Sequence, residues 1–243
     1  MDKYGLYVPQ LLPFKEHFLP QAHRACMGCG VALGVRHVYK ALEEHQGWMD
    51  RARWEIPFSI PFPGNLGRDG KGAGEGVRPA LLSIPKQDDS SSLLLCFDNE
   101  AVEGKATPAI FKKFFPAAAI ARGCGYVATA CPSYPFDLID KVRRGMESEG
   151  NSYIHILSPC PVGWGYESEL SVTIGRLAVE STIFPLYEVV AGSCRLTIDH
   201  PGKRTVEQYL TAQKRFKHFK GKEAREVQAA VDTAYARLRQ GKV

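Results

Sequence analysis

The sequence contains no long apolar run, and this absence excludes a membrane protein of the helical type. No stretch approaches the roughly 20 consecutive apolar residues that a membrane-spanning helix needs. The first residues, MDKYGLYVPQLLPF, show no basic segment followed by an apolar one, and therefore predict no secretory signal. We expect a cytoplasmic protein without a membrane partner.

Motifs for binding nucleic acid are also absent, and the net charge is only +5. We therefore expect no nucleic-acid partner. Much of the basic excess lies between Lys203 and Lys242. On charge alone this pattern is most typical of solvated helix faces, although a basic face also suits an acidic protein partner.

Seven cysteines, an odd number, argue against a disulfide framework in a chain without a secretory signal. Cys96 lies in an apolar run and is predicted to be a core residue. No recognisable motif surrounds Cys124, Cys131 or Cys194.

Cys26 and Cys29 form a CxxC pattern at the start of a predicted helix. The helix dipole and the exposed N–H groups at such a position are expected to lower a thiol's pKa, and two thiolates at this spacing can bind one metal centre. The pattern equally fits half of a zinc site, a redox pair or chance, because zinc and iron–sulfur sites usually need four ligands. His23 is either a further ligand or, more commonly for such a residue, a surface or capping histidine.

Strands and helices alternate from about residue 93 onward, which predicts an α/β domain with a mostly parallel sheet flanked by helices. Residues 43–92 are rich in glycine, proline and charge, and predict a long irregular segment within a single domain that spans 1–243. The predicted strands are 93–97, 126–130, 152–157 and 184–190. The predicted helices begin after Cys29 and continue at 108–122, 135–146, 167–181, 205–218 and 223–239.

Two polar segments follow predicted strands, at the sheet edge where α/β proteins bind ligands. Asp98, Asn99, Glu100 and Ala101 follow the first, and their oxygen atoms suit Mg²⁺, although an ordinary Asx-rich turn has the same composition. Cys160 follows the third strand. On that segment alone, a buried cysteine in a proline-stiffened turn is the better interpretation.

Taken in order, these segments resemble the thiamine-diphosphate-binding β subunit of pyruvate:ferredoxin oxidoreductase and its 2-oxoacid relatives. The resemblance covers residues 15–42 and 93–219. The matching pieces include HRACMGCGVALGVRHVYKAL, LLLCFDNEA, GYVATACPSYPFDLIDKV, SYIHILSPCPVGW, IGRLAVESTIFPLYEV and TVEQYLTAQKRFKHF.

This resemblance implies a thiamine-diphosphate-binding fold and a role in converting a 2-oxoacid, by default pyruvate, to acyl-coenzyme A. Electrons would pass through a 4Fe-4S cluster to ferredoxin, and subunits of the α, γ and δ types would be partners. The glutamate that activates thiamine lies on a partner subunit in this family, so no catalytic residue is assigned here, and the chain is expected to be active only with its partners.

The resemblance also implies site residues. The expected cluster ligands are Cys26, Cys29 and Cys160. The expected Mg²⁺ ligands are Asn99 and, through its carbonyl, Ala101. The residues expected to contact the thiamine cofactor and its metal are Gly28, Gly30, Asp98, Asn99 and Ala101.

Three features depart from the family pattern. No cysteine lies between Cys29 and Cys96, so a fourth cluster ligand is missing. The family's Gly-Asp-Gly is matched only by Gly67 to Gly70, after three prolines that argue against a central strand, and Asp69 is a weak candidate for its metal ligand. The loop after Ala101 is shortened to Val102–Lys105. These losses favour, as an alternative, a degenerate structural or binding subunit that has lost its cofactors. An unrelated small CxxC metal protein is a third hypothesis.

Overall fold

The computed structural model describes residues 25–42, 53–55, 80–87, 90–100, 114–199, 204–217, 219 and 221–243. The central feature of these residues is a seven-stranded sheet in the order β1-β2-β3-β5-β4-β6-β7. Its strands are β1 Arg53–Glu55, β2 Ala80–Pro85, β3 Ser92–Asp98, β4 Tyr126–Ala130, β5 Ser152–Leu157, β6 Leu186–Val190 and β7 Ser193–Ile198.

The three central strands, β3, β5 and β4, are parallel, and the outer strands pair antiparallel. Every residue of β4 and β5 is buried, as expected for parallel strands covered on both faces. β6 and β7 form a hairpin whose two turn residues, Ala191 and Gly192, both have positive φ. Such turns match the twist of the strands that they join.

Helices cover both faces of the sheet. The helices are α1 Gly30–Ala41, α2 Phe114–Ala121, α3 Pro135–Glu147, α4 Pro161–Trp164, α5 Ser171–Glu180, α6 Val206–Thr211 and α7 Lys222–Arg239. Residues of α1 and α3 pack with Ile154 and Ile156 of β5, whereas residues of α2 and α7 pack on the face of Tyr153. A third apolar cluster joins α5, α6 and α7 around Trp164.

The predicted α/β class is confirmed, and β4 and β5 have the predicted bounds. The prediction of an irregular segment over 43–92 is wrong where β1 and β2 extend the sheet. The hairpin strand β7 was also not predicted. Within the described ranges, no helix is both long and apolar enough to cross a membrane.

Candidate functional site

Two of the predicted ligand segments meet at the carboxyl edge of the parallel strands. Asp98, the last residue of β3, lies in register with Leu157, the last residue of β5. The backbone N–H of Ser158 then donates to the carbonyl of Asp98 at 2.8 Å. The turn that carries Cys160 is thereby fixed beside the turn that carries Asn99, as their positions after neighbouring strands predicted.

The CxxC loop contacts this edge through two glycines. The N–H of Gly30 donates to the carbonyl of Pro159 at 2.9 Å, and a Cβ atom on Gly30 would lie 2.5 Å from the nitrogen of Pro159. Gly28 has a φ of +71°, and a Cβ there would lie 2.2 Å from the carbonyl oxygen of Ser168. The Ser171 hydroxyl donates to the carbonyl of Gly28 at 2.6 Å. Only glycine allows this approach, and both residues are therefore required by packing.

Cys26, Cys29 and Cys160 are partly buried and free of disulfides. Cys29 is the N-cap residue of α1 and Cys160 that of α4, where its Sγ accepts the N–H of Gly163 at 3.3 Å. Burial raises the pKa of Cys29, and the charge of Cys26 raises it further. Burial also raises the pKa of Cys160, with Cys29 and Cys26 adding to the effect. Because such charge effects act over short distances, they indicate that the three thiols lie near one another.

The expectation that the helix dipole lowers the thiol pKa is wrong for Cys29, and the pKa of Cys160, for which no such expectation was made, is raised as well. Backbone N–H groups do favour each thiolate, but burial outweighs them, because a charged sulfur loses more hydration than two weak donors return. Each of these thiols therefore has to release a proton before it can bind a metal.

No three His, Cys, Asp or Glu side chains among the described residues form a group that could hold a metal ion. A zinc ion must be touched by all of its ligands, whereas each thiolate of an iron–sulfur cluster binds a different iron atom. Among the described residues, Cys26, Cys29 and Cys160 therefore do not form a site for one zinc ion.

The other four cysteines lie away from this group. Cys131 is fully buried in the core, where burial raises its pKa to about 11. Cys96 and Cys194 are buried on the opposite face of the sheet from α1, with Cys124 beside them. None of them supplies the fourth thiolate, so the departure noted in the sequence remains in the fold.

Asp98 has a buried carboxylate that shapes the turn. Its Oδ1 accepts the N–H of Glu100 at 2.8 Å, and its Oδ2 lies 3.2 Å from Nε2 of His155. Asn99 is partly buried, and its carbonyl accepts the indole N–H of Trp164 at 2.6 Å. His23, Asp69 and Ala101 lie outside the described residues.

Sequence reasoning missed Arg215, which forms a buried ion pair with Glu100 at 2.9 Å. The Arg215 side chain is 6% exposed and that of Glu100 is 1% exposed. The segment TVEQYLTAQKRFKHF contributed to the resemblance but gave no sign of this contact, because the two residues are 115 positions apart.

No protein-family model matches the chain. It is 31% identical to the pyruvate synthase subunit PorB of Methanothermobacter thermautotrophicus, over 93% of this chain and 98% of that one. The corresponding subunit of Methanothermobacter marburgensis is 32% identical over the same shares. The ketoisovalerate oxidoreductase subunit VorB of Pyrococcus furiosus is 27% identical over 94% of each chain.

These alignments also reveal a difference in length. The alignment with the Methanothermobacter proteins spans 286 positions, more than the 243 residues of this chain. The relatives therefore contain residues that have no counterpart here. At this identity and coverage, the chain belongs to the β subunits of the 2-oxoacid:ferredoxin oxidoreductase family.

Proposed function

We propose that this chain takes part in the thiamine-dependent oxidative decarboxylation of a 2-oxoacid, with acyl-coenzyme A as the product and ferredoxin as the electron acceptor. The observation that carries this proposal is the convergence of Cys26, Cys29 and Cys160 beside the Asp98–Asn99 turn. Pyruvate is the proposed substrate, since the relatives at 31% and 32% identity are named pyruvate synthase subunits.

The residues at the carboxyl edge of the sheet would have separate roles. When bound, thiamine diphosphate supplies the ylid that decarboxylates the substrate, and a 4Fe-4S cluster supplies one-electron transfer. Cys26, Cys29 and Cys160 would hold the cluster as thiolates. Asn99 and the carbonyl of Ala101 would hold Mg²⁺ at the diphosphate.

Asp98 fits a supporting role, because its carboxylate is already engaged by His155 and by the N–H of Glu100. Gly28 and Gly30 allow the CxxC loop to reach the sheet edge without a clash.

We also propose that other subunits of the oxidoreductase, of the α, γ and δ types, cover this edge. Large apolar side chains are exposed around the cysteines, where Met27 is 82% and Val162 64% exposed. Leu170 and Val172, beside the Gly28 contact, are exposed as well. Apolar surface concentrated around a site is typical of an interface.

The second candidate is a degenerate subunit that keeps the fold and its interfaces but binds no cofactor. The missing fourth cysteine and the relatives' additional residues favour it. The two candidates differ in whether the assembled protein contains an iron–sulfur cluster and thiamine diphosphate.

The deciding experiment is anaerobic purification of the chain with its partner subunits, followed by iron, sulfide and thiamine analysis and a visible spectrum. The proposal predicts a broad iron–sulfur band and about one bound thiamine per assembly. The variants Cys29→Ser and Cys160→Ser are expected to lose the band, because a cluster that already lacks one thiolate ligand should not form when a second is removed.

The matched control is Cys124→Ser, which removes a thiol on the other face of the sheet and should leave the band unchanged. An assembly that folds and contains neither iron nor thiamine would establish the degenerate subunit instead.

A further inference from the structure

Arg215 lies at the centre of a buried network that begins at the Asn99–Glu100 turn. Its Nη2 donates to Oε2 of Glu100 and to the hydroxyl of Tyr209, both at 2.9 Å. Its Nε donates to the side-chain oxygen of Gln213 at 2.8 Å. The planar guanidinium is therefore held in one orientation by three different side chains.

Trp164 extends the network to the cysteine turn. The guanidinium of Arg215 stacks on the Trp164 ring at 3.7 Å, a contact that arginine makes well and lysine does not. The indole N–H donates to the carbonyl of Asn99, and the backbone N–H of Trp164 donates to the carbonyl of Cys160 at 2.9 Å. One tryptophan thus contacts both the proposed Mg²⁺ turn and the proposed cluster turn.

Two features suggest that this network does more than stabilise the fold. Glu100 has a φ of +49°, a conformation that is unfavourable for a residue with a side chain. Nη1 of Arg215 is buried and has no hydrogen-bond partner among the described residues. Buried donors in native proteins are nearly always satisfied, so stability alone accounts poorly for an arginine placed this way.

We infer that Arg215 is a positioning residue that fixes the Asn99–Glu100 turn relative to the Cys160 turn. This inference rests on the proposed function, in which those turns hold the Mg²⁺ of thiamine diphosphate and one cluster thiolate. By holding Glu100 in its strained conformation and stacking on Trp164, Arg215 keeps the two turns at a fixed separation.

The test compares Arg215→Met and Arg215→Lys with the control Arg144→Met in the assembled enzyme. Arg144 also pairs with a buried glutamate, Glu188, at 2.9 Å, but lies outside the network. The readouts are the Kd for thiamine diphosphate at fixed Mg²⁺ and the electron paramagnetic resonance spectrum of the reduced cluster. A residue that only supported the fold would change neither in the folded enzyme.

We expect Arg215→Met to raise the Kd at least tenfold and to alter the cluster spectrum. Arg215→Lys should raise the Kd by less than Arg215→Met does, because lysine keeps the charge beside Glu100 but loses the stacking on Trp164. Arg144→Met should lower the melting temperature and leave both readouts unchanged.

Trp164→Phe provides a variant that keeps an aromatic ring, removes the donor to Asn99 and shortens the buried ring. We expect it to raise the Kd about threefold, which tests the network even if the Arg215 variants do not fold. If the wild-type enzyme contains both cofactors and the folded variants match its Kd and cluster spectrum, the inference is overturned while the proposed function stands. Wild-type enzyme with neither cofactor would overturn the proposed function and the inference with it.

Discussion

The two ends of the parallel strands are built differently. At the amino end, the buried ammonium group of Lys86 donates to the carbonyls of Ser148 and Gly150 and to the hydroxyl of Ser152, at 2.6–2.8 Å. At the carboxyl end, thiols remain half-buried, Nη1 of Arg215 has no acceptor in the described part of the chain, and Met27 is exposed.

The difference indicates that the amino end of the sheet contributes mainly to stability and the carboxyl end to function. A buried ammonium group with three acceptors fills part of the amino end. Among the described residues, the carboxyl end instead has a buried N–H donor without a partner, half-buried thiols and exposed apolar side chains, as expected for the end at which α/β sheets bind ligands. Three changes test this division.

The largest effect on stability is expected from Lys86→Met. The change leaves the buried hydroxyl of Ser152 and two part-buried carbonyls without their charged donor, and should lower the free energy of unfolding by about 3 kcal/mol. Urea unfolding of the variant measures this loss, and Lys222→Met, which alters an 83% exposed lysine, should show almost none. The division would be contradicted if folded Lys86→Met also lost iron that the wild type retains.

Gly30→Ala should have a smaller effect on stability and a larger one on the site. The new Cβ would meet the backbone of Pro159, and relief of that clash should cost about 2 kcal/mol while moving α1 away from Cys160. Iron content and urea unfolding check both parts.

Gly145→Ala is the matched control for this change, because its Cβ would meet the ends of the Leu93 and Ile154 side chains rather than backbone. Equal iron content in the two alanine variants would refute the role given to the Gly30 contact.

The smallest effect is a pH dependence of the iron-free protein. Burial raises the pKa of Cys29 and Cys160 in the fold, so the unfolded chain releases their protons at a lower pH. Their contribution to stability is therefore full below about pH 8.5, the ordinary thiol range, and is lost as pH rises above it. Urea midpoints from pH 7 to 9.5 should fall less steeply when both residues are serine. Parallel curves for the two proteins would count against the burial of these thiols.

Much of the scaffold was predictable from local pattern. The strands Tyr126–Ala130 and Ser152–Leu157 are short apolar runs between turn residues, and such runs indicate buried strands without knowledge of their neighbours. β2 was not predicted because it lies in a segment dominated by glycine and proline. Its pairing with β3, rather than a pattern in its own sequence, stabilises it as a strand. β7 was missed because it is only partly buried and its pattern is weak.

The candidate site was predicted less completely than the scaffold. The CxxC spacing and the positions of Asn99 and Cys160 after strands placed these residues at one edge, since the order of strands in an α/β sheet brings such ends together. The predicted pKa direction at Cys29 was wrong, because desolvation depends on neighbours that no local motif specifies.

The α/β class, the family and the three cysteines at the edge can be predicted from motifs and from spacing along the chain. The pairing of Asp98 with His155, the contact of Gly30 with Pro159 and the link that Arg215 makes between Glu100 and Trp164 are visible in the fold alone. These contacts join residues far apart in the chain, and only packing in three dimensions selects the partner of a buried charge or the backbone that a glycine approaches.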